Sequence, residues 1–278
     1  MRKFIVFVLI LMVLAGLAFL FWSFFIKVPP SPATEAPIEE FIQIYDIEEG
    51  YLTVPAIQGA KKHSFNWDNL KYENGFLRYE DDNYSSELGV DVSTYQGEID
   101  WNAVKQQGID FAILRIGFRG YGESGKLVLD ERYLDNVTKA TEAGIKVGVY
   151  FFSQAINEEE AREEAQFVLE NIQNHLVEFP ICYDLEKIKY DDSARANNLS
   201  KEQRTQNAIA FCEEIKQSGY TPMLYANAKW LTTELDLIKL QEYDVWYADY
   251  QEKPLFPYNF TIWQYTESAQ VDGISRKY

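Results

Sequence analysis

The chain has 278 residues, of which 47% are hydrophobic and 15% aromatic, enough apolar material for a substantial core and one or two domains. A formal charge of -17 argues against nucleic-acid binding and against docking on anionic lipid, because both normally use a basic patch. His63 and His175 lie far apart with no ligand spacing around either, so neither a metal site nor a cofactor is expected.

In chain order, the first element is Phe4 to Ile26, "FIVFVLILMVLAGLAFLFWSFFI", which carries no charge and is long enough to cross a bilayer. Residues 1–27 are therefore expected to form a transmembrane signal anchor. Arg2 and Lys3 precede the apolar run, so the positive-inside rule leaves the N-terminus in the cytoplasm and the remainder outside a single-pass bacterial membrane. No small-x-small cleavage site follows the run. Residues 28–50 begin "VPPSPATEAPIEE" and are expected to be an extended, solvated linker that does not pack. Residues 51–86 read as a small preface, in which "LKYENGFLRYE" alternates on both sides of Asn74-Gly75 and predicts a β-hairpin with a type I′ turn.

From Glu87 onward, amphipathic helices end at glycine and apolar strands follow, as in "AVKQQGIDFAILRIGF", "KATEAGIKVGVYFFS" and "EEIKQSGYTPMLYAN". Gly108, Gly144 and Gly219 stand where a helix most often stops in the left-handed conformation. Strands alternating with helices imply parallel strands joined by helical crossovers. The rhythm breaks at "DVWYADY" and "TIWQYT", which are too close for a helical crossover. The expected fold of residues 87–278 is thus α/β, an irregular (β/α) barrel of five strand-helix units followed by closely spaced strands. Cys182 and Cys212 are expected to be two separate buried thiols.

Parallel barrels carry their sites at the C-terminal strand ends. Four acids fall there: Asp91 in "LGVDVSTYQG", Asp184 and Glu186 in "PICYDLE", and Asp249 in "VWYADY". Asp184 and Glu186 are two residues apart and share a strand face, roughly 7 Å apart. Two like charges beside an apolar run cost desolvation and repel, which points to chemistry rather than stability. Aromatics at strand ends, Tyr150, Tyr225, Trp263 and Tyr265, are candidates for stacking on sugar or for core packing, and Gln264 for a polar contact to substrate. Arg115 is expected to be an internal counter-ion.

The sequential motifs "GVDVSTYQGEIDW", "ILRIGF", "GIKVGVYFFS", "YDLE", "LYAN", "VWYADY" and "IWQYT" resemble those of glycoside hydrolase family 25, the Chalaropsis-type lysozymes, in order from about Leu88 to Ser275. The resemblance implies an N-acetylmuramidase cutting the β-1,4 bond between N-acetylmuramic acid and N-acetylglucosamine in peptidoglycan. It implies Glu186 as general acid, Asp184 as its partner, and Asp91 and Asp249 as further acids of the site. Whether a carboxylate or the substrate's 2-acetamido group attacks is left open. Family members usually continue past the "GI" segment into a short final strand with another aspartate, where this sequence reads "VDGISRKY". Two rivals are weighed: a metal-dependent hydrolase, which would add histidines to these strand ends, and a membrane-tethered peptidoglycan-binding module without turnover. With an anchor, the expected role is local wall remodelling near the membrane.

Overall fold

The computed structural model describes residues 40–275. The expected anchor and the first part of the expected linker lie outside the described residues, among which no helix is long and apolar enough to cross a membrane.

Two antiparallel hairpins come first. Strands β1 (Phe41–Asp46) and β2 (Gly50–Pro55) pair from Phe41 opposite Pro55 to Asp46 opposite Gly50. Residues 41–50 therefore do not behave as solvated linker. "FIQIYD" alternates, and Ile44 and Asp46 on one face are almost wholly buried. The second hairpin, β3 (Leu70–Glu73) and β4 (Phe76–Tyr79), turns at Asn74 and Gly75, both with positive φ (53° and 88°), as the Asn-Gly signal predicts.

The strand-helix units then follow as expected: β5 (Gly89–Val92), α1 (Trp101–Gln106), β6 (Phe111–Arg119), α2 (Tyr133–Glu142), β8 (Lys146–Phe152), α3 (Glu158–Ile172), β9 (Ile181–Asp184), α4 (Lys201–Gln217), β10 (Pro222–Asn227) and the short α5 (Leu237–Leu240). A three-residue strand, β7 (Leu127–Leu129), runs antiparallel to β6. Strands β11 (Asp244–Ala248) and β12 (Ile262–Gln264) close the series without a helix between them. The main sheet has the order β12-β11-β10-β9-β8-β6-β5, every neighbouring pair parallel.

The barrel is not closed by a backbone ladder: among the described residues β5 and β12 share none, so the sheet is a curled half-barrel. The segments that follow its edge strands meet at an isolated bridge between Ile99 and Ile274, with Asp100 N donating to Gly273 O at 2.9 Å. The edge strands themselves are joined by a side-chain hydrogen bond, Gln264 Nε2 donating to Asp91 Oδ2 at 2.9 Å. Below that bond the seam opens into a cavity of ≈ 750 Å³, lined by Phe111, Met223 and Trp246 from inside the sheet and by Phe65, Trp67 and Phe76 from the preceding segment. Within the expected preface, residues 65–86 are thus packed over the open seam. The residues just before them are stitched to the loop after β11, with His63 N donating to Pro257 O and Asn259 N to Lys61 O.

Two clusters divide the core by face. Outer-face residues such as Val147, Val149 and Tyr183 pack against helix positions one or two turns apart, including Val137 and Ala140 of α2, Ala161, Ala165 and Val168 of α3, and Phe211 and Ile215 of α4. Inner-face Phe111, Ile113, Cys182, Met223, Tyr225, Trp246 and Ala248 form a smaller cluster inside the curl. Cys182 and Cys212 are buried and free, one in each cluster.

One buried ion pair ties sheet to helix. Arg119, 4% exposed, donates from Nε to Glu164 Oε1 at 2.8 Å and from Nη1 to Gly125 O at 2.9 Å, while Ser153 Oγ donates to Glu164 Oε2 at 2.7 Å. Arg119→Ala leaves Glu164 buried without its cation, and the expected loss of stability is about 3–5 kcal/mol by denaturant titration.

Candidate active site

Strand alternation builds the site. On the inner face, apolar residues sit toward the N-terminal ends of the strands: Ile113 of β6, Cys182 of β9, Met223 of β10, Trp246 of β11 and Ile262 of β12. Two residues further along each of these strands stand Arg115, Asp184, Tyr225, Ala248 and Gln264. They are joined by Asp91 of β5 and Tyr150 of β8, so an apolar floor supports a polar mouth.

Three of the four expected acids meet there. Burial pushes the Asp184 carboxyl well above the usual carboxylate range; the neighbouring charges of Glu186 and Asp91 push it further, and Arg115 opposes them. Asp184 is 4% exposed, and its Oδ1 has no hydrogen-bond partner among the described residues. Glu186, half-buried two residues beyond the strand end, is also raised, first by burial; the Tyr225 hydroxyl and Lys189 counteract this, while Glu48 and Asp91 add to it. Asp91 is raised by burial and held back by the Gln264 hydrogen bond. Mutually repelling carboxyls in one dry mouth retain protons at pH values where isolated ones have lost them.

Gln264 organises the phenols beside them. Its Oε1 accepts from both Tyr225 Oη and Tyr250 Oη at 3.0 Å. Since one of these donors is enough for the amide, the single Tyr225 proton is free to turn to Glu186 when that group ionises. Burial holds the Tyr150, Tyr225 and Tyr250 hydroxyls protonated, so they act as donors.

The remaining predicted residues fall elsewhere. Asp249 does not point at the other acids: its Oδ2 accepts from Tyr247 Oη at 2.5 Å and its Oδ1 from Gln251 N at 2.9 Å, so both oxygens are engaged in fixing the end of β11. Trp263 is on the face of β12 opposite Gln264, at ring distances of 5.9 Å from Trp67 and 5.7 Å from Tyr265, and its indole N–H donates to Asp249 O at 2.7 Å. Trp263 and Tyr265 therefore belong to the packing over the seam rather than to the mouth. Arg115 is a counter-ion as expected, but a tethered one, its Nε donating to Asp130 Oδ2 at 2.7 Å.

Three participants were not anticipated. Asp130, 2% exposed, also accepts from Thr94 N and Arg132 N, and so fixes both Arg115 and the loop after β5. Trp246 packs edge-on against Tyr225 at 4.5 Å and Tyr150 at 6.0 Å. Tyr250 caps Gln264. Position in a strand was a usable signal for Trp246, two residues before the strand-end Ala248; nothing local marks Asp130.

The segment 90–274 matches the model of glycosyl hydrolases family 25. The chain belongs to that family. YegX of Escherichia coli O6:H1 is 29% identical over 192 residues, which is 67% of this chain and 65% of that protein. The autolytic lysozyme of Clostridium acetobutylicum is 24% identical over 188 residues, 67% of this chain and 52% of the relative, so this chain spans about half to two thirds of the lengths of these family relatives. Among solved structures, the bacterial lysozyme of Streptomyces coelicolor superposes with a TM-score of 0.56 at 25% identity, covering 69% of this chain and 89% of that one.

The crowded acids make a stability prediction for this family 25 site. A carboxyl whose folded-state pKa is raised binds its proton more tightly folded than unfolded, so stability falls as pH rises above about 4, where the unfolded group ionises. Asp184→Asn removes that liability. Its melting temperature is expected to exceed that of the unaltered chain, by a margin that widens from acid to neutral pH in calorimetric scans.

Proposed function

We propose that the chain is a lysozyme-type glycoside hydrolase that cleaves peptidoglycan glycan strands between N-acetylmuramic acid and N-acetylglucosamine. The observation that carries the reading is the meeting of Asp91, Asp184 and Glu186 at one mouth, with two carboxyls raised by burial and mutual repulsion. Family membership and the autolytic lysozyme relative support it.

Hydrolysis of a glycosidic bond needs a proton for the leaving oxygen and negative charge beside an oxocarbenium-like anomeric carbon. Glu186 is the outermost of the three acids and the one with a phenol and a lysine around it, suited to give its proton to the leaving oxygen and recover one from the incoming water. Asp184, deeper and beneath it, faces the anomeric centre or the 2-acetamido group. Asp91 is held by Gln264, and Arg115 balances the charge from the side. Tyr150 and Tyr225 present their rings to the sugar, with Trp246 packed behind them.

Glu186→Gln is expected to reduce release of new reducing ends from purified wall by roughly 10²–10⁴-fold while binding of glycan persists, since the change removes the transferable proton at nearly constant shape. Mass spectrometry of the products decides the activity itself. New termini on N-acetylmuramic acid support a muramidase; bound but uncut glycan would make the chain a wall-binding module instead.

The charge-free run Phe4 to Ile26 supports a further part of the reading, a membrane anchor that confines the domain to the membrane-proximal wall for local remodelling. The natural protein is then expected in the membrane fraction after cell breakage. Recovery of a shortened form from the medium would show the run to be a cleaved signal.

A further inference from the structure

Ahead of the family-matched segment, the turn between β1 and β2 reaches the catalytic mouth. Ile47, half-buried at its tip, packs against the inner cluster that includes Tyr225 and Trp246. Glu48 forms an ion pair with Lys189 at 3.1 Å, three residues after Glu186. Glu49 pairs with Lys229, just beyond β10, and Tyr51 Oη donates to Gln251 Oε1 at 3.2 Å, just beyond β11. The turn and the start of β2 thereby touch the loops after three successive strands of the sheet.

The turn is rigid. Asp46, 1% exposed, accepts from Glu48 N at 3.0 Å and Glu49 N at 2.9 Å through one oxygen, which fixes the reversal before any rim contact is made. Beneath it Ile44 and Val54 are buried in the main core. Ile47 continues the apolar surface of Tyr225 and Trp246 out to the rim.

We propose that the turn Asp46–Gly50 is a built wall of the glycan-binding groove on the Glu186 side, in which Ile47 contacts the sugar and Glu48 offsets the charge of Lys189 beside the acid. The inference rests on the muramidase reading for its substrate, and it assigns part of the site to a segment outside the family-matched residues 90–274. A pyranose ring presents an apolar C–H face that suits a branched aliphatic side chain. The Glu48–Lys189 pair sits where the leaving sugar must pass.

The charge arrangement gives a readout that a merely structural hairpin would not move. Glu186 is faced by Asp184 and Asp91 from β9 and β5, by the phenols Tyr150, Tyr225 and Tyr250, by Lys189 on its own loop and by Glu48 from the turn. Glu48 favours the protonated acid and Lys189 the ionised one. The alkaline limb of kcat/KM reports loss of the proton from the acid. Glu48→Gln should move that limb to lower pH and cut turnover several-fold at neutral pH while sparing it at acid pH. Lys189→Met should move it to higher pH.

The full-length chain is assayed on purified wall, and binding of soluble glycan fragments from partial peptidoglycan hydrolysis is measured by calorimetry in the Glu186→Gln background. Ile47→Ser in that background is expected to weaken fragment binding several-fold at a temperature where circular dichroism shows it fully folded. Limbs unmoved in both charge variants, fragment binding indifferent to Ile47→Ser, or faster wall hydrolysis on adding Ile47→Ser to the otherwise unaltered chain would each overturn the proposal, the last by making the tip an obstruction. If the unaltered chain releases no reducing ends, the muramidase reading fails by itself, and the calorimetric comparison still decides whether the turn lines a glycan site.

Discussion

The hydrogen bond from Gln264 to Asp91 joins the first and last strands of a parallel sheet, which share no ladder among the described residues. A sheet of seven parallel strands normally leaves two edges far apart; here the curl brings them within reach of two side chains. Everything at the mouth depends on that curl. It turns a row of strand ends into a ring, so that Asp91 of β5 meets Asp184 of β9, three strands away in the sheet order, and Glu186 just beyond it. The same amide receives Tyr225 and Tyr250, so one side chain both closes the seam and arrays the donors.

The ring assembles like charges, and their compensation is only partial. Arg115 faces Asp184, but it is pinned to Asp130 and its guanidinium lies 4.9 Å from the Tyr95 ring, so part of its charge is already committed. The carboxyls respond by keeping protons. A site optimised for stability would have replaced them with apolar residues that extend the floor of Ile113, Met223 and Trp246. Their retention is the physical signature of proton transfer, in keeping with the proposed glycosidase chemistry.

Residues 41–86 are not an appendage to this arrangement. Phe41 onward forms one compact unit, and the two hairpins supply what a half-barrel lacks. The second hairpin and its flanking aromatics cover the open seam, while the first brings a fixed acidic turn to the rim. The wall proposed for Glu48 and Ile47 follows from that second contact, and both hairpins use the same device, a short reversal whose geometry is set locally and whose apolar face is buried remotely.

The order of strands and helices, the glycine stops and the Asn74-Gly75 turn were legible in the sequence because each rests on local conformation or periodicity. So was the inward direction of Asp91, Asp184, Tyr150, Tyr225 and Gln264, through strand alternation. Phe41–Asp46 was masked by the proline- and acid-rich composition preceding it, although its alternation was present. Asp249 and Trp263 fall on the strand faces opposite Ala248 and Gln264, so alternation itself turns them from the mouth, and Tyr247 and the rings around Trp67 are the partners they meet there. Periodicity in the chain determines which face a side chain occupies. Which groups then meet depends on how far the sheet curls, where its seam is covered and which hairpin reaches the rim, contacts between residues as distant as Glu48 and Lys189 that no local pattern encodes.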